Sequence, residues 1–348
     1  MDTGPLLLSG APGSPYTRKM MAYLRYRLVP FRVIYGLGQA SASGDDRGLP
    51  KPKVQLLPTF YLPGPTGELE AVVDSTPLIR RFEKEIKGRH AVPTHPVLRF
   101  LNDLLEDYGD EWLTKAMFHY RWYYDADIAK ARSILPRWGK IEASEELMEQ
   151  MAGFFGDRQI SRLYVVGSND TTAPVIEDSY KRYLDLMKAH LETMPFLLGQ
   201  RPSSADFSAY GQLTQLAQFD PTPMAVTLER APRVYAWVDL VDDLSGLEVA
   251  GDEGWIDPAN VPDTLRALLG EVGRVYAPAL LANADALNNG QDEMRTEIDG
   301  REWVQKPFAY QGKCLLDLRK AYADLDDAAR STVDDLIDGT GLEPLFIK

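Results

Sequence analysis

The chain has 348 residues, 45% hydrophobic and 26% charged, which excludes a disordered, collagen-like or disulfide-scaffold protein and leaves room for two domains. Its formal net charge of −13 argues against a nucleic-acid partner, because phosphate contacts need Lys and Arg. The charge is uneven: residues 1–90 carry 13 Lys and Arg against 8 Asp and Glu, the remainder 25 against 43, so only the front part favours a small anion.

The first 90 residues alternate strand and helix patterns. Pro5-Leu6-Leu7-Leu8-Ser9 is an apolar run bounded by Gly10 and Pro12, as a buried strand would be. From Pro15 the spacing is helical, with Met20, Met21, Tyr23, Leu24 and Leu28 on one face. Residues 31–35 predict a second strand, and 36–52 a polar loop. Residues 56–62 and 68–73, joined by Pro63-Gly64-Pro65-Thr66-Gly67, predict an antiparallel hairpin. A helix then starts at Asp74-Ser75-Thr76, with Pro77 in its first turn and Leu78, Ile79 and Phe82 facing inward.

Pro93, Thr94 and Pro96 mark a linker, so the expected domains are 1–90 and 94–348. The second is helical in texture. Leu98, Leu101, Leu104, Leu105, Tyr108 and Trp112 keep helical spacing in a pattern running towards Ile134, with a break expected near Gly109. Further helices are expected over 144–153, 178–192, 205–218 and 231–243. Ser203 and Asp206 form a capping pair at the start of the third. In the last hundred residues, two strand-like runs flank Asp299-Gly300 as a primed-turn hairpin, and helices follow over 314–322 and 328–337.

Three positions in the front domain combine into a candidate site. A hydroxyl within Gly13-Ser14-Pro15-Tyr16-Thr17 sits at the positive end of a helix, where N–H groups favour an anion. The proline of Leu57-Pro58 opens a strand, leaving the Leu57 backbone free to pair with a ligand. Asp74-Ser75 places a carboxylate and a hydroxyl where they can bind an amino-acid end group. Helix capping is the structural alternative for Ser14 and Ser75.

In this order and spacing the segments resemble the glutathione transferase superfamily. Ser14-Pro15-Tyr16-Thr17-Arg18-Lys19 is similar to its activating-residue motif, Leu56-Leu57-Pro58-Thr59-Phe60 to its cis-proline strand, and Asp74-Ser75-Thr76-Pro77-Leu78 to its acidic-Ser motif. Arg201-Pro202-Ser203-Ser204-Ala205-Asp206-Phe207 is similar to the capping box of its helical domain. The resemblance, over about residues 5–245, implies an α/β thioredoxin-like N-terminal domain and an all-α C-terminal domain. It gives Ser14 the sulfur of glutathione, with Tyr16 as second choice, and thiolate is the reactive form. It gives the Leu57 backbone, beside Pro58, the cysteinyl amide, and gives Asp74 and Ser75 the γ-glutamyl end. Lys51 or Lys53 would reach the glycyl carboxylate.

The implied activity is addition of glutathione, as co-substrate, to a small, apolar electrophile. The alternative is a non-catalytic ligand-binding or scaffold protein of the same fold. Trp112, Met117, Phe118, His119, Tyr120, Trp122 and Tyr123 form an aromatic segment on a helix that borders the cleft in the resembled fold. Trp112, His119 and Tyr120 are therefore expected at the acceptor pocket, with packing in the helical core as the alternative. Ser14 replaces the cysteine of thiol-dependent members, which argues against thiol–disulfide exchange, and Asp74 is one methylene shorter than the commoner glutamate. A tail of about 100 residues after Leu247 exceeds what the resemblance covers.

Other chemistries lack residues. His90, His95, His119 and His190 have no metal-ligand spacing, so no metal is expected, and Cys314 stands alone. Gly36-x-Gly38 is too short for a dinucleotide loop. The richest apolar stretch, 275–287, is broken by Pro278, Asn283 and Asp285, and Met1-Asp2-Thr3-Gly4-Pro5 lacks a basic n-region. No membrane partner and a cytoplasmic location are expected, and the resemblance implies a homodimer.

Overall fold

The front of the chain builds a four-stranded sheet from β1 (Leu6–Gly10), β2 (Phe31–Tyr35), β3 (Thr59–Pro63) and β4 (Leu69–Val72) in the order β2-β1-β3-β4. The computed structural model describes residues 4–35 and 48–346; the loop expected over 36–52, with its Gly36-x-Gly38 pair, lies outside the described residues as far as Arg47. β1 runs parallel to β2 and antiparallel to β3, and β4 is antiparallel to β3. Helices α1 (Pro15–Tyr26) and α2 (Ser75–Glu85) follow β1 and β4. Leu8 and Phe60 of the sheet are fully buried with Met20, Tyr23 and Leu24 of α1 and Ile79 of α2. This is a thioredoxin-like arrangement. β3 begins at Thr59, three residues later than the apolar run predicts; Leu56 stands exposed, and the Leu57–Pro58 bond ahead of the strand is cis.

The remainder is predominantly helical: α3 (Pro96–Tyr108), α4 (Thr114–Tyr123), α5 (Asp125–Gly139), α6 (Glu145–Ile160), α7 (Ala173–His190), α8 (Ser204–Leu216), α9 (Pro221–Arg230) and α10 (Pro232–Val241). The break expected near Gly109 is a π-helical turn, Gly109–Leu113, that carries α3 into α4 without a stop. Gly109 is required there, since a Cβ would lie 2.3 Å from Ser208 Oγ. The long pattern stops instead at Tyr124, whose extended backbone separates α4 from α5.

Every residue of α8 is buried. Its capping box forms, with Asp206 Oδ2 accepting the Ser203 N–H at 2.8 Å and Ser203 Oγ accepting the Asp206 N–H at 3.4 Å. Gly211 lets α1 approach, because a Cβ would come within 2.5 Å of the Pro15 carbonyl oxygen.

Residues 248–348 are not all helical. α11 (Asp263–Glu271), a second π-helical turn (Val272–Tyr276) and α12 (Ala277–Asn288) lead to the hairpin β5 (Met294–Ile298) and β6 (Arg301–Gln305), followed by α13 (Ala309–Ala323), α14 (Asp327–Ile337) and α15 (Glu343–Phe346). Asp299 and Gly300, at φ 55 and 71, make the primed turn that their sequence predicts. Helices α9, α11, α12 and α15 have no counterpart in the sequence reading. Prolines 221, 223 and 278 suggest breaks there but occupy first turns, where a missing N–H costs nothing. One apolar cluster runs from Leu8 through Trp112 to Trp303 and Leu345.

Candidate functional site

The turn between β1 and α1 is held from the helical domain. Arg121 of α4 donates through Nη1 to the Gly13 carbonyl at 3.0 Å, while its remaining donors bind Asp220 and Gln215. Gln215 of α8 donates to the Pro12 carbonyl at 3.1 Å. Leu135 and Trp138 of α5 crowd the same turn: a Cβ on Gly13 would lie 2.4 Å from Leu135 Cδ2 and 2.9 Å from Trp138.

Ser14, at the mouth of this turn, caps α1. Its Oγ accepts the Thr17 N–H at 3.2 Å and donates to the Leu57 carbonyl at 3.3 Å. Ser14 and the residue before cis-Pro58, 43 positions apart, are thus brought together at the positive end of a helix. Pro58 is buried behind Leu57, and Lys51 and Lys53 are exposed ahead of it.

Tyr16 points the other way. Its OH donates to the Asp110 carbonyl at 2.7 Å and lies 3.4 Å from Thr114 Oγ1, and burial with the charges of Glu111 and Asp110 pushes its pKa well above the usual 10.

Asp74 precedes α2 with φ 81, a region that L residues rarely adopt, and its side chain makes no cap to its own helix. The carboxylate accepts instead from the Tyr310 hydroxyl of α13, 2.9 Å from Oδ2. Burial and the Asp74 charge raise the Tyr310 pKa, so this phenol is a donor at any ordinary pH. Ser75 is buried beside Asp74.

Trp112, His119 and Tyr120 lie in the helical core, each at most 1% exposed. Trp112 Nε1 donates to Ser179 at 3.0 Å and its ring packs on Trp303. His119 Nδ1 lies 2.8 Å from Ser168 Oγ, and Tyr120 stacks on Tyr124. None of the three lines the cavity described below. Leu135 and Trp138 pack against Gly13, the residue before Ser14, and the sequence reading assigned them no role; so too Arg121, Gln215 and Tyr310. Among the described residues no group of three or more His, Cys, Asp or Glu is placed to hold a metal ion, and no helix is long and apolar enough to cross a membrane.

A cavity of about 530 Å³ opens between α2, α3 and α13, with Thr76, Arg80, Asp107, Glu111, Tyr310 and Cys314 in its wall. Burial pushes Glu111 up to about 8, aided by Asp107 and Asp110, and lowers Lys115 to about 8 against the pull of Glu111.

Residues 8–90 match the family model described as the glutathione S-transferase N-terminal domain, and residues 136–240 match that of the glutathione S-transferase C-terminal domain. Together the matches take in just over half of the 348 residues. The chain belongs to the glutathione transferase superfamily.

Among solved structures, it is similar to a glutathione transferase family member from Pseudomonas fluorescens pf-5 with two glutathione bound, at 14% identity and a TM-score of 0.44, covering 68% of this chain and 92% of that one. A glutathione S-transferase from Methylobacterium radiotolerans in complex with glutathione sulfonate gives 16%, 0.43, 73% and 99%. A serine-to-cysteine variant of poplar glutathione transferase F1 gives 15%, 0.41, 70% and 95%. No curated protein matches the chain.

Proposed function

We propose that this chain binds glutathione at the Ser14–Leu57–Asp74 site and adds its thiolate to a small, apolar electrophile. The observation that carries the reading is the Ser14 hydroxyl at the N-terminus of α1, 3.3 Å from the Leu57 carbonyl. A cysteinyl backbone paired with Leu57 brings its own sulfur beside that hydroxyl. Ser14 then exchanges its contact with Leu57 for the sulfur and, with the α1 N-terminus, favours thiolate over thiol. The thiolate forms an S–C bond with the electrophilic carbon, and the electron pair displaced there leaves with a departing group or takes up a proton. Asp74 and Ser75 hold the γ-glutamyl ammonium end, and exposed Lys53 offers its charge to the glycyl carboxylate.

Tyr16 is less suited to the sulfur because its hydroxyl is committed to Asp110. Leu135 and Trp138, packed over Gly13, are the apolar groups an acceptor beside Ser14 would meet. A homodimer in the cytoplasm, engaged in detoxification, belongs to the same reading, and sedimentation velocity tests the assembly.

The deciding experiment is calorimetric titration with reduced glutathione at two temperatures, followed by turnover of an electrophile panel. Saturable binding, with turnover that falls on Ser14→Ala, supports a transferase. Binding without turnover across the panel identifies a ligand-binding protein of this fold, and silence at both temperatures sinks the glutathione chemistry.

A further inference from the structure

The last hundred residues reach the site through the first turn of α13. Asn283 of α12 grips the segment ahead of α13 from both sides, accepting the Phe308 N–H at 2.7 Å and donating to the Phe308 carbonyl at 3.1 Å. Two residues on, Tyr310 donates to Asp74 Oδ2, and its neighbour Gln311 donates to Glu111 at 3.2 Å. The first turn of α13 is therefore tied to α12, to α3's π-helical turn and to the start of α2. The Tyr310–Asp74 bond joins residues 236 positions apart and engages one carboxylate oxygen, leaving Oδ1 out of the contact. Asp74 holds a positive φ and its side chain, which makes no cap to its own helix, bonds this phenol.

We propose that Tyr310 is the positioning residue for the γ-glutamyl end of the site: it fixes the Asp74 carboxylate so that Oδ1 faces the ligand's ammonium group. The inference rests on the glutathione reading above. A carboxylate already fixed by a hydroxyl loses less freedom on binding than a rotating one, so the bond converts to affinity for ligands that carry that ammonium. Tyr310 acts through Asp74 and not on the sulfur, so it sets which thiol is accepted and not how the thiol reacts.

The test uses the full chain, titrated with glutathione and with cysteinylglycine, which lacks the γ-glutamyl group. Tyr310→Phe, which keeps the ring and its packing, is expected to weaken glutathione roughly tenfold, the size of one charge-assisted hydrogen bond. Cysteinylglycine affinity stays unchanged, and Tyr310→Phe adds little to Asp74→Asn in the double variant. Unchanged glutathione affinity overturns the proposal, as does an equal loss for both ligands, which is the mark of a purely structural role. Tighter binding by Tyr310→Phe also overturns it, and makes Tyr310 a competitor for Asp74. Should the wild-type chain fail to bind glutathione at all, the reading on which the proposal rests fails with it. That result is distinct from wild-type binding that Tyr310→Phe leaves untouched.

Discussion

Lys19 of α1 places its Nζ 2.6 Å from Asp110 Oδ2 in a pocket where the lysine is 1% exposed. Glu106 takes the same ammonium at 2.7 Å, so one buried cation of the thioredoxin-like domain is shared by two carboxylates of the helical domain. Burial alone would lower the lysine's pKa, and the two carboxylates more than reverse it. Arg80 and Lys19 in turn hold Glu106 down at about 2 despite its burial. Lys19→Met leaves the buried Asp110 without its cation and Glu106 with Arg80 alone, and is expected to cost ~3–5 kcal/mol in urea unfolding. Adding Asp110→Asn to it recovers part of that loss.

Ser14 has two duties that substitution can separate. As the cap of α1 it accepts the Thr17 N–H, and Ser14→Ala should lose about 1 kcal/mol of stability. Ser14→Gly keeps most of the capping geometry and loses only a few tenths, because glycine is a tolerated cap. Both variants lose the hydroxyl, so both are expected to raise the thiol pKa of bound glutathione and to slow turnover alike. Ultraviolet titration of the bound thiolate reads the first effect. A bound-thiol pKa that is the same in all three proteins would remove Ser14 from the chemistry.

Asp74 carries backbone strain that glycine would not feel. At φ 81 a Cβ is disfavoured, so Asp74→Gly should be more stable than Asp74→Ala by about 1 kcal/mol in thermal unfolding. Neither variant keeps the carboxylate, and both are expected to lose glutathione affinity. Retained affinity in either one would move the γ-glutamyl site elsewhere.

How much of this was legible in the sequence depends on how far the signal travels along the chain. Ser14, Leu57 and Asp74 announce themselves through local chemistry: a hydroxyl ahead of a helix, a proline opening a strand, an acid before a helix. Arg121, Gln215 and Tyr310 act across 108, 203 and 236 positions, and nothing in their own neighbourhoods marks the carbonyl or carboxylate they reach. The aromatic segment misleads for a related reason. α4 and the π-helical turn before it are buried on nearly all sides, so helical spacing cannot distinguish side chains at a cleft from those, like His119 of α4 and Trp112 of the turn, that fill the core. Prolines hid α9 and α12, since a proline that opens a helix and one that ends it look alike without the fold.

Asp107 makes stability depend on pH. Burial raises its pKa from 3.8 to about 7, although Tyr276 and Cys314 hydrogen-bond to it and pull the other way. The Tyr276 hydroxyl donates to Oδ2 at 2.6 Å. Between about pH 4 and pH 7 the folded chain holds this proton and the unfolded chain does not, so this group's contribution to stability falls as pH rises across that window. Above pH 7 the penalty is complete. Asp107→Asn keeps an acceptor for Tyr276 without the charge, and is expected to be more stable than the wild type by ~1–3 kcal/mol at pH 8, with the gain vanishing near pH 4. Urea unfolding of both proteins at pH 4, 6 and 8 checks the slope. A gain independent of pH would mean that Asp107 does not titrate in this range.

Trp303 decides whether the extension is an appendage or part of the fold. The ring is fully buried on β6, with its centroid 5.4 Å from that of Trp112 on the π-helical turn after α3. Lys115 Nζ lies 5.7 Å from the same ring and donates to Gln305 at 3.0 Å. At the far end, Phe100 of α3 meets Tyr322 and Phe346 at 6.0 and 5.2 Å. Core contacts of this kind belong to one cooperative unit, because removing the hairpin would bare Trp112 to water. Trp303→Ala is expected to cost ~3–5 kcal/mol. The loss should move the whole unfolding curve, so that far-ultraviolet dichroism and tryptophan fluorescence still change together. Two separated transitions, with only the smaller one shifted by Trp303→Ala, would instead make residues 248–348 an independently folding attachment.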